Sequence, residues 1–347
     1  MDAPGGTAPT LAEIARRAGT TVPTVSKVLN GRSDVSAATR ERVMRLVDET
    51  GYRRRTGPSR GAAGTAIGDG LIDLVISGVE GSWANHALSG VEHAASSAGL
   101  DVVVTVARST NDWVARLLAR RSRGAVVALV EPTNAQLATL RAGHIPVVLL
   151  DPTAEPSGGI PSVGAANWAG GHAVGEHLLS LGHTRFVIVG GHPGHLYSQA
   201  RIDGLRSALR RAQVPLGADR IVFGQWRRRG AFDAVMPLLA GPDAPTAVFA
   251  CSDAMALGVY EAAAAAGIRI PDDLSVVGFD DLPEARWAVP ALTTVRQPVF
   301  EMAASALRML LRLRSGDAPG SNREELATSL IVRESTAPAR PGRRGGE

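Results

Sequence analysis

In residues 1–52 the hydrophobic positions recur with the period of an α-helix, in three separate groups. The three apolar faces consist of Leu11, Ile14, Ala15 and Ala18; of Val22, Val25, Val28 and Leu29; and of Val43, Leu46 and Val47. A hydroxyl residue that can accept a backbone N–H group precedes each face, at Thr10, Thr21 and Ser36. The pattern therefore predicts three helices, with a tight turn between the first two and a third that spans Ala37 to Thr50, as in a helix-turn-helix.

From Leu71 onward, short apolar runs alternate with longer amphipathic stretches. The runs predict strands at Leu71–Ser77, Val102–Val106, Ala125–Val130, Val147–Leu150, Phe186–Val189, Ile221–Phe223, Ala247–Ala250 and Ser275–Phe279. The stretches predict helices at Asn85–Ala98, Asn134–Ala142, Trp168–Leu181, Arg201–Gln213 and Asp253–Ala266. Such alternation predicts parallel sheets with helices on both faces. The series is too long for one sheet and divides near Val163–Asn167, which predicts two α/β lobes with a cleft between the carboxyl ends of their strands.

Positive charge is concentrated at the start of the chain. Residues 1–60 contain eleven basic and six acidic residues, a net charge of +5, whereas the whole chain carries +4. A basic segment on a nearly neutral remainder suits a module that binds a polyanion, although charge alone fits a merely soluble segment equally well. Lys27 is the only lysine among 37 basic residues, and it lies on the second predicted helix with Pro23, Thr24 and Ser26. A lysine there can reach O6 and N7 of guanine in the major groove of DNA.

The first fifty residues resemble a known DNA-binding domain. The stretch TLAEIARRAGTTVPTVSKVLNGRSDVSAATRERVMRLVDETGY is similar to the head of the LacI family of bacterial transcription regulators. The resemblance implies that Val22, Pro23 and Lys27 read the bases. It further implies that a set of polar residues contacts phosphates or orients the reading helix, namely Thr10, Thr21, Thr24, Ser26 and Asn30.

The segment after the head departs from the family pattern. Family members usually form a hinge helix there and insert a leucine into the minor groove. This chain has RRRTGPSRGAAGTAIGDG, with Gly61 at the expected position of the leucine. In a helix, glycine costs about 1 kcal/mol and interior proline about 3 kcal/mol relative to alanine. The segment is therefore either a hinge that folds only on DNA or a tether whose arginines contact phosphates, and we favour the tether. Its arginines are Arg53, Arg54, Arg55 and Arg60.

Polar residues follow the predicted strands of the body, at the edge where a ligand is expected. Asp151, Ser252 and Asp280 come after the runs VVLL, AVFAC and SVVGF. Carboxylates accept hydrogen bonds from sugar hydroxyls, Arg201 is a donor, and Trp226 offers an aromatic face. The segments YSQARIDGLRSAL and PTAVFACSDAMALGVYEAAAAAGIRIPDDLSVVGFDDL resemble the periplasmic-binding-protein-like core of the same family. The predicted effector contacts are Trp83, Asp151, His192, Arg201, Trp226, Ser252 and Asp280.

The resemblance also implies an organisation and a function. We expect a helix-turn-helix domain in residues 1–52, a linker in 53–69 and a ligand-binding and dimerisation core in 70–347. The predicted first lobe takes residues 70–165 and 294–320, the second takes 166–293 and 321–335, and 336–347 is a disordered tail. The expected function is sequence-specific regulation of transcription, most often repression, by a homodimer on a near-palindromic DNA operator. The expected effector is a sugar or oligosaccharide, with a purine or a sugar phosphate as the alternative.

Other classes of protein fit the sequence less well. No apolar run approaches the ~20 residues that cross a bilayer, and a secretory signal is lacking, so we expect a cytoplasmic protein, at the nucleoid when bound to DNA, without a membrane partner. Cys251 is the single cysteine, and we expect a buried thiol. Without a phosphate-binding loop, a catalytic serine motif or a zinc signature, no cofactor, metal or enzymatic activity is expected. The alternatives are a solute-binding protein and a sugar-acting enzyme of similar fold.

Overall fold

The computed structural model describes residues 10–29, 35–50, 70–108, 112–156, 159–241, 243–317 and 321–340. The chain divides into two compact units, Met1–Gly64 and Thr65–Glu347. Within the described ranges, no helix is long and apolar enough to cross a membrane.

The first unit contains the three predicted helices, α1 (Leu11–Arg17), α2 (Val22–Leu29) and α3 (Ala37–Thr50). The three predicted N-caps are confirmed. Thr10 Oγ1 accepts from the Glu13 amide, Thr21 Oγ1 from the Thr24 amide and Ser36 Oγ from the Thr39 amide, each at 3.3 Å. These bonds satisfy amides that have no partner inside the helix and so fix where each helix begins.

The core of this unit is formed by residues of all three helices. Ile14, Val25 and Val43 are fully buried at its centre. Val22 was predicted on the same apolar face of α2 but is 41% exposed. At 100° per residue Val22 lies about 120° from Val28 around the helix axis, so it falls at the edge of the buried stripe, in the first turn.

The second unit contains two six-stranded sheets. The first sheet has the order β11-β5-β4-β3-β1-β2 and is parallel throughout. Its strands are β1 (Leu71–Ile76), β2 (Asp101–Val106), β3 (Ala125–Ala128), β4 (Val147–Leu150), β5 (Ser162–Ala165) and β11 (Arg323–Leu326). The second sheet has the order β12-β10-β9-β8-β6-β7 and is parallel except for β12, which pairs antiparallel with β10. Its strands are β6 (Phe186–Gly190), β7 (Ile221–Phe223), β8 (Ala247–Ala250), β9 (Ser275–Asp280), β10 (Thr293–Arg296) and β12 (Ser329–Ile331).

Helices cover both sheets and bury nearly continuous apolar strands. The helices of the first lobe are α4 (Ser82–Ser97), α5 (Trp113–Ala119), α6 (Asn134–Ala142) and α12 (Val299–Ser315). Those of the second lobe are α7 (Asn167–Ser180), α8 (Leu196–Arg211), α9 (Arg228–Val235), α10 (Asp253–Ala265) and α11 (Pro283–Trp287). Burying strands on both faces accounts for their continuous apolar sequences.

The chain passes between the lobes at different points from those predicted. Strand β10 lies in the second sheet, so the return to the first lobe comes after Arg296 and not at 294. Strand β11 lies in the first sheet, although residues 321–335 were assigned to the second lobe. The sequence of β11, REEL, alternates charged exposed residues with half-buried ones and has no apolar run to mark a strand.

Candidate functional site

The carboxyl ends of the strands bring polar groups of both lobes together. Asp151 follows β4 of the first sheet, Asp280 ends β9 of the second, and Gln297 follows β10 at the passage between the lobes. Asp151 and Asp280 have φ angles of +49° and +121°. Such backbone costs about 1–3 kcal/mol in a residue other than glycine and is concentrated at functional sites. Both carboxylates are thus held in place by turns that the chain adopts at a cost in stability.

Arg201, on α8, is the centre of this group and is 2% exposed. Its Nε donates to Asn167 Oδ1 at 2.7 Å, its Nη1 to the Cys251 carbonyl at 2.6 Å and its Nη2 to Gln297 Oε1 at 3.0 Å. The guanidinium carbon lies 3.7 Å from the ring centroid of Phe279. Because the guanidinium is planar and its donors diverge, these contacts hold Arg201 in one orientation.

The two carboxylates are linked to Arg201, Asp280 directly and Asp151 through Gln297. Asp280 Oδ1 is 3.5 Å from Arg201 Nη1, and Asp151 Oδ2 accepts from Gln297 Nε2 at 3.2 Å. Burial raises the pKa of Asp280 to about 7, although the nearby charge of Arg201 opposes the shift. Burial likewise raises the pKa of Asp151, against the charge of Arg201 and the hydrogen bonds from Gln297 and Asn167. A ligand hydroxyl that donates to these oxygens would replace part of the solvation that burial removes.

An aromatic wall stands beside Arg201. The guanidinium carbon of Arg201 is 5.6 Å from the ring centroid of Tyr197 and 5.8 Å from that of Trp226. Trp226 Nε1 donates to His195 Nδ1 at 3.0 Å, and burial lowers the pKa of His195, which favours the neutral imidazole that this bond requires. The indole packs against Gly191, where a Cβ atom would lie 2.0 Å from it, so the glycine is required for the position of Trp226.

Of the other predicted effector contacts, Ser252 directly follows Cys251, His192 lies with its ring centroid 4.6 Å from that of His195, and Trp83 lines another cavity. Trp83, in the first turn of α4, lines a separate cavity of about 340 Å³ at the carboxyl ends of β1 and β2. Ser252 is the N-cap of α10, and its Oγ accepts from the Met255 amide at 3.2 Å. His192 is exposed, with Nδ1 accepting from the Gly194 amide at 3.0 Å. Cys251, predicted as a buried thiol, is fully buried, which raises its pKa to about 12.

Three residues of this site were not predicted from the sequence. Asn167 and Gln297 hold Arg201 directly, and Tyr197 forms part of the aromatic wall. Gln297 follows strand β10 by the same rule that found Asp151, but β10 was not predicted as a strand. Asn167 starts α7 immediately after the passage between the lobes, and its role depends on the proximity of α8, which sequence spacing does not reveal.

The exposed side of α2 is the candidate DNA interface. Thr21, Val22, Pro23 and Lys27 are exposed, whereas Thr24 and Ser26 are half-buried. Thr21 and Thr24 also approach each other through their hydroxyl oxygens, at 2.9 Å. Thr10 is occupied as the cap of α1. The remaining predicted DNA contacts lie outside the described residues: Asn30, Arg53, Arg54, Arg55 and Arg60.

Both units match known families. The model described as bacterial regulatory proteins, lacI family, matches residues 10–55, and the periplasmic binding protein-like domain matches residues 175–336. The HTH-type transcriptional regulator reg1 of Streptomyces lividans is 34% identical over 352 residues, which cover 96% of this chain and 98% of the relative.

Two solved structures of transcriptional regulators resemble the whole chain. A complex of the transcriptional regulator CelR with cellobiose is 30% identical, with a TM-score of 0.71, and covers 94% of this chain and 99% of its own. The lac repressor dimer bound to operator and an anti-inducer is 28% identical, also with a TM-score of 0.71, and covers 95% of this chain and 100% of its own. These relatives are transcriptional regulators and not enzymes.

Proposed function

This chain belongs to the LacI family of DNA-binding transcriptional regulators, and from that premise we propose that it is a repressor whose affinity for operator DNA is controlled by a saccharide bound between its two lobes. The group of polar and aromatic residues around Arg201 is the observation that supports a saccharide as the ligand. Asp151 and Asp280 are acceptors for hydroxyl groups, Arg201 is a fixed donor, and Trp226 is a flat apolar surface for the C–H face of a sugar ring. The similar CelR structure holds cellobiose.

Access to Arg201 and Asp280 requires the lobes to separate, whereas Asp151, Asn167 and Tyr197 already line a cavity of about 320 Å³. Arg201 and Asp280 are 2% and 9% exposed, so a solute cannot reach them while the lobes stay as they are. Direct hydrogen bonds join the lobes: Ser82 Oγ donates to Glu284 Oε1 at 2.7 Å, and the Leu196 amide donates to the Thr153 carbonyl at 2.9 Å. A saccharide that binds one separation of the lobes more tightly than another shifts the population between them. Its effect on DNA affinity follows from that difference alone.

We further propose that the functional form is a homodimer on a near-palindromic operator. One helix in a major groove reads only a few base pairs, so tight binding requires two heads related by a two-fold axis. In the second lobe, Trp287 and Val289 are 75% and 90% exposed. Large apolar groups this close in sequence favour a protein contact, and a second copy of the chain is the partner. The lac repressor structure that resembles this chain is a dimer on operator.

The linker and the remaining contacts complete the proposal. Residues 53–69 act as a tether, with Arg53, Arg54, Arg55 and Arg60 on phosphates on either side of the base-reading helix. Val22, Pro23 and Lys27 read the bases. The protein acts in the cytoplasm, where the operator lies. Ser252 and His192, which lie beside the Arg201 group, are further saccharide contacts, and Trp83 contacts the saccharide in an arrangement of the lobes that differs from the one described.

The decisive experiment is a titration of labelled DNA from upstream of the gene with the full-length protein at about 150 mM salt. We expect saturable binding that random DNA of equal length does not reproduce. We also expect one member of a panel of mono- and disaccharides to change the affinity for this DNA at least tenfold. Equal affinity for both DNAs would refute operator binding. Specific DNA binding that no saccharide alters, with no saccharide shifting the melting temperature, would refute the effector class.

A further inference from the structure

A second cavity lies at the opposite edge of the first sheet from the Arg201 group. It is formed by the residues that precede β3, β4 and β5 and by the end of α12. Its volume of about 730 Å³ falls within the ~300–1,000 Å³ typical of small-molecule sites. Because the strands are parallel, this amino edge is separated from Asp151, at the carboxyl end of β4, by the length of the strand. A molecule bound here therefore does not occupy the Arg201 group.

The cavity has a cationic rim, consisting of Arg121, Arg123, Arg141 and Arg314, with His144 beside it. The lining contains no aspartate or glutamate, and none of the four arginines forms an ion pair in the part of the chain that the structure describes. Arg314 Nη1 donates to the Arg123 backbone carbonyl at 3.0 Å, which holds the Arg314 guanidinium against the segment that precedes β3. The pKa of Arg314 is lowered by partial burial and then by the charge of Arg123. An anion in the cavity would relieve this repulsion.

Two residues that line the cavity occupy positions that usually take glycine. Arg121 and His144 follow α5 and α6 with φ angles of +54° and +55°. The corresponding turns after α4, α7 and α10 use Gly99, Gly182 and Gly267, with φ of +67°, +82° and +68°. A left-handed residue other than glycine costs about 1–3 kcal/mol. The turn after α8, outside the cavity lining, also uses a residue other than glycine, Gln213 with φ of +58°, so the two turns at the cavity are distinguished by the basic type of their side chains.

The rest of the lining is apolar. The apolar floor consists of Leu137, Leu140, Ile145, Val147, Ile160 and Leu313. No asparagine or glutamine side chain lines the cavity, and the Ser122 hydroxyl already donates to the Gly124 carbonyl at 3.0 Å. Sugar hydroxyls would therefore find few side-chain acceptors, in contrast to the Arg201 group. The combination suits a molecule that carries a flat apolar body at one end and a phosphate at the other.

We propose that this cavity is a second ligand site and that it binds a nucleoside phosphate, with the base on the apolar floor and the phosphate at the cationic rim. The site lies where the chain enters the core, since the Arg123 amide donates to the Leu71 carbonyl at 2.9 Å, in the first residue of β1. A bound nucleotide bridges β3, β4 and α12 and stabilises the first lobe. The proposal does not depend on the saccharide or on the operator.

Calorimetric titration of the full-length protein with AMP tests the site, with adenosine, inorganic phosphate and glucose 6-phosphate as comparison probes. We expect AMP to bind more tightly than each of the three. The double variant Arg121→Asn/Arg141→Gln removes two exposed charges and should raise the Kd for AMP about tenfold or more. The matched control, Arg210→Gln/Arg211→Gln, removes two exposed charges at the end of α8 and should leave it unchanged. Arg314→Gln removes a third charge of the rim and should also raise the Kd for AMP.

Each alternative gives a different result. No heat with AMP, or equal affinity in the rim variant, overturns the site. Adenosine binding as tightly as AMP overturns the role of the phosphate, and glucose 6-phosphate binding as tightly overturns the role of the base. Loss of AMP binding in Asp280→Asn would place AMP in the Arg201 group instead. Displacement of AMP by a short random DNA duplex, with weaker duplex binding by the rim variant, would assign the rim to DNA phosphates.

Discussion

Ser82 Oγ donates a hydrogen bond to Glu284 Oε1 at 2.7 Å, and this bond joins α4 of the first lobe to α11 of the second. The other oxygen, Glu284 Oε2, is buried and has no hydrogen-bond partner among the described residues. Loss of the bond from Ser82 would leave the buried carboxylate of Glu284 without a side-chain donor, which is costly in free energy. The bond therefore stabilises the arrangement in which the two lobes are in contact.

Ser82→Ala should therefore favour separation of the lobes. The substitution leaves both oxygens of Glu284 without a side-chain donor, and we expect a loss of about 1–3 kcal/mol from the closed form. Small-angle scattering should show a larger radius of gyration, with a lower melting temperature. Ser97→Ala is the matched control, because Ser97 lies at the other end of α4 and its Oγ donates to the His93 carbonyl of its own helix. Unchanged scattering and melting in Ser82→Ala would show that the contact does not hold the lobes.

Asp280 should make the stability of the second unit depend on pH. Its pKa is raised to about 7 by burial, whereas the unfolded group titrates near 4. The folded state therefore binds an additional proton between about pH 4 and 7, and its stability falls as the pH rises through that range. Asp280→Asn should flatten the decrease in melting temperature between pH 5 and 8 relative to the unmodified protein. The comparison of the two proteins is needed because Asp151 and Asp253 also have raised pKa values, that of Asp253 in part through the charge of Asp280. Parallel melting curves at all pH values would contradict the assignment.

Most of the fold could be predicted because its elements carry local signals. The caps Thr10, Thr21 and Ser36, and apolar runs such as VVLL before Asp151, act on their own neighbours in sequence. Strands β5 and β11 have no such signal: SVGA is short and REEL is charged, and each becomes a strand only because a neighbouring strand offers its edge. The assignment of all of residues 321–335 to the second lobe was wrong for the same reason, because β11 lies in the first sheet.

The residues of the site were likewise predictable where a local sequence signal exists and not where long-range packing decides. The rule that polar residues follow buried strands found Asp151 and Asp280, which the structure places around Arg201. Gln297 was missed with its strand, β10. Trp83 was chosen as an aromatic residue near a strand end, but sequence does not show which of two cavities a side chain lines. Long-range packing decides that choice.

Arg201 should separate ligand response from DNA binding. Arg201→Ala leaves Asn167, Gln297 and the Cys251 carbonyl without their donor and should cost about 3–5 kcal/mol in the second lobe. Arg201→Lys keeps the charge but not the planar fork, so it provides a milder variant. Both should retain specific DNA binding and lose the response to the saccharide that the panel identifies. Arg206→Ala, an exposed arginine on the same helix, is the control. A full response in Arg201→Lys and Arg201→Ala would remove Arg201 from the site.

Trp287 should be required for self-association. Replacing this 75% exposed indole by a charged residue, Trp287→Glu, removes apolar area from the proposed contact and places two like charges across a two-fold axis. Sedimentation should change from dimer to monomer, and DNA affinity should fall. Trp168→Glu is the control, since Trp168 is 48% exposed but stacks on His172 of its own helix. A dimer that survives Trp287→Glu and Val289→Glu would show that the contact lies elsewhere.

Lys27→Ala should weaken operator binding without affecting the ligand site. Lys27 is exposed on α2, on the side away from the buried Val25 and Val28, where a base or phosphate contact is worth about 1–3 kcal/mol. Titration of labelled operator should show about a tenfold or greater loss of affinity, with an unchanged saccharide-induced shift in melting temperature. Arg42→Ala, on the exposed side of α3, removes the same charge and should have a smaller effect. Weakening of operator binding and of random-DNA binding by the same factor, in both Lys27→Ala and Arg42→Ala, would show that Lys27 contributes general attraction to DNA and does not read a base.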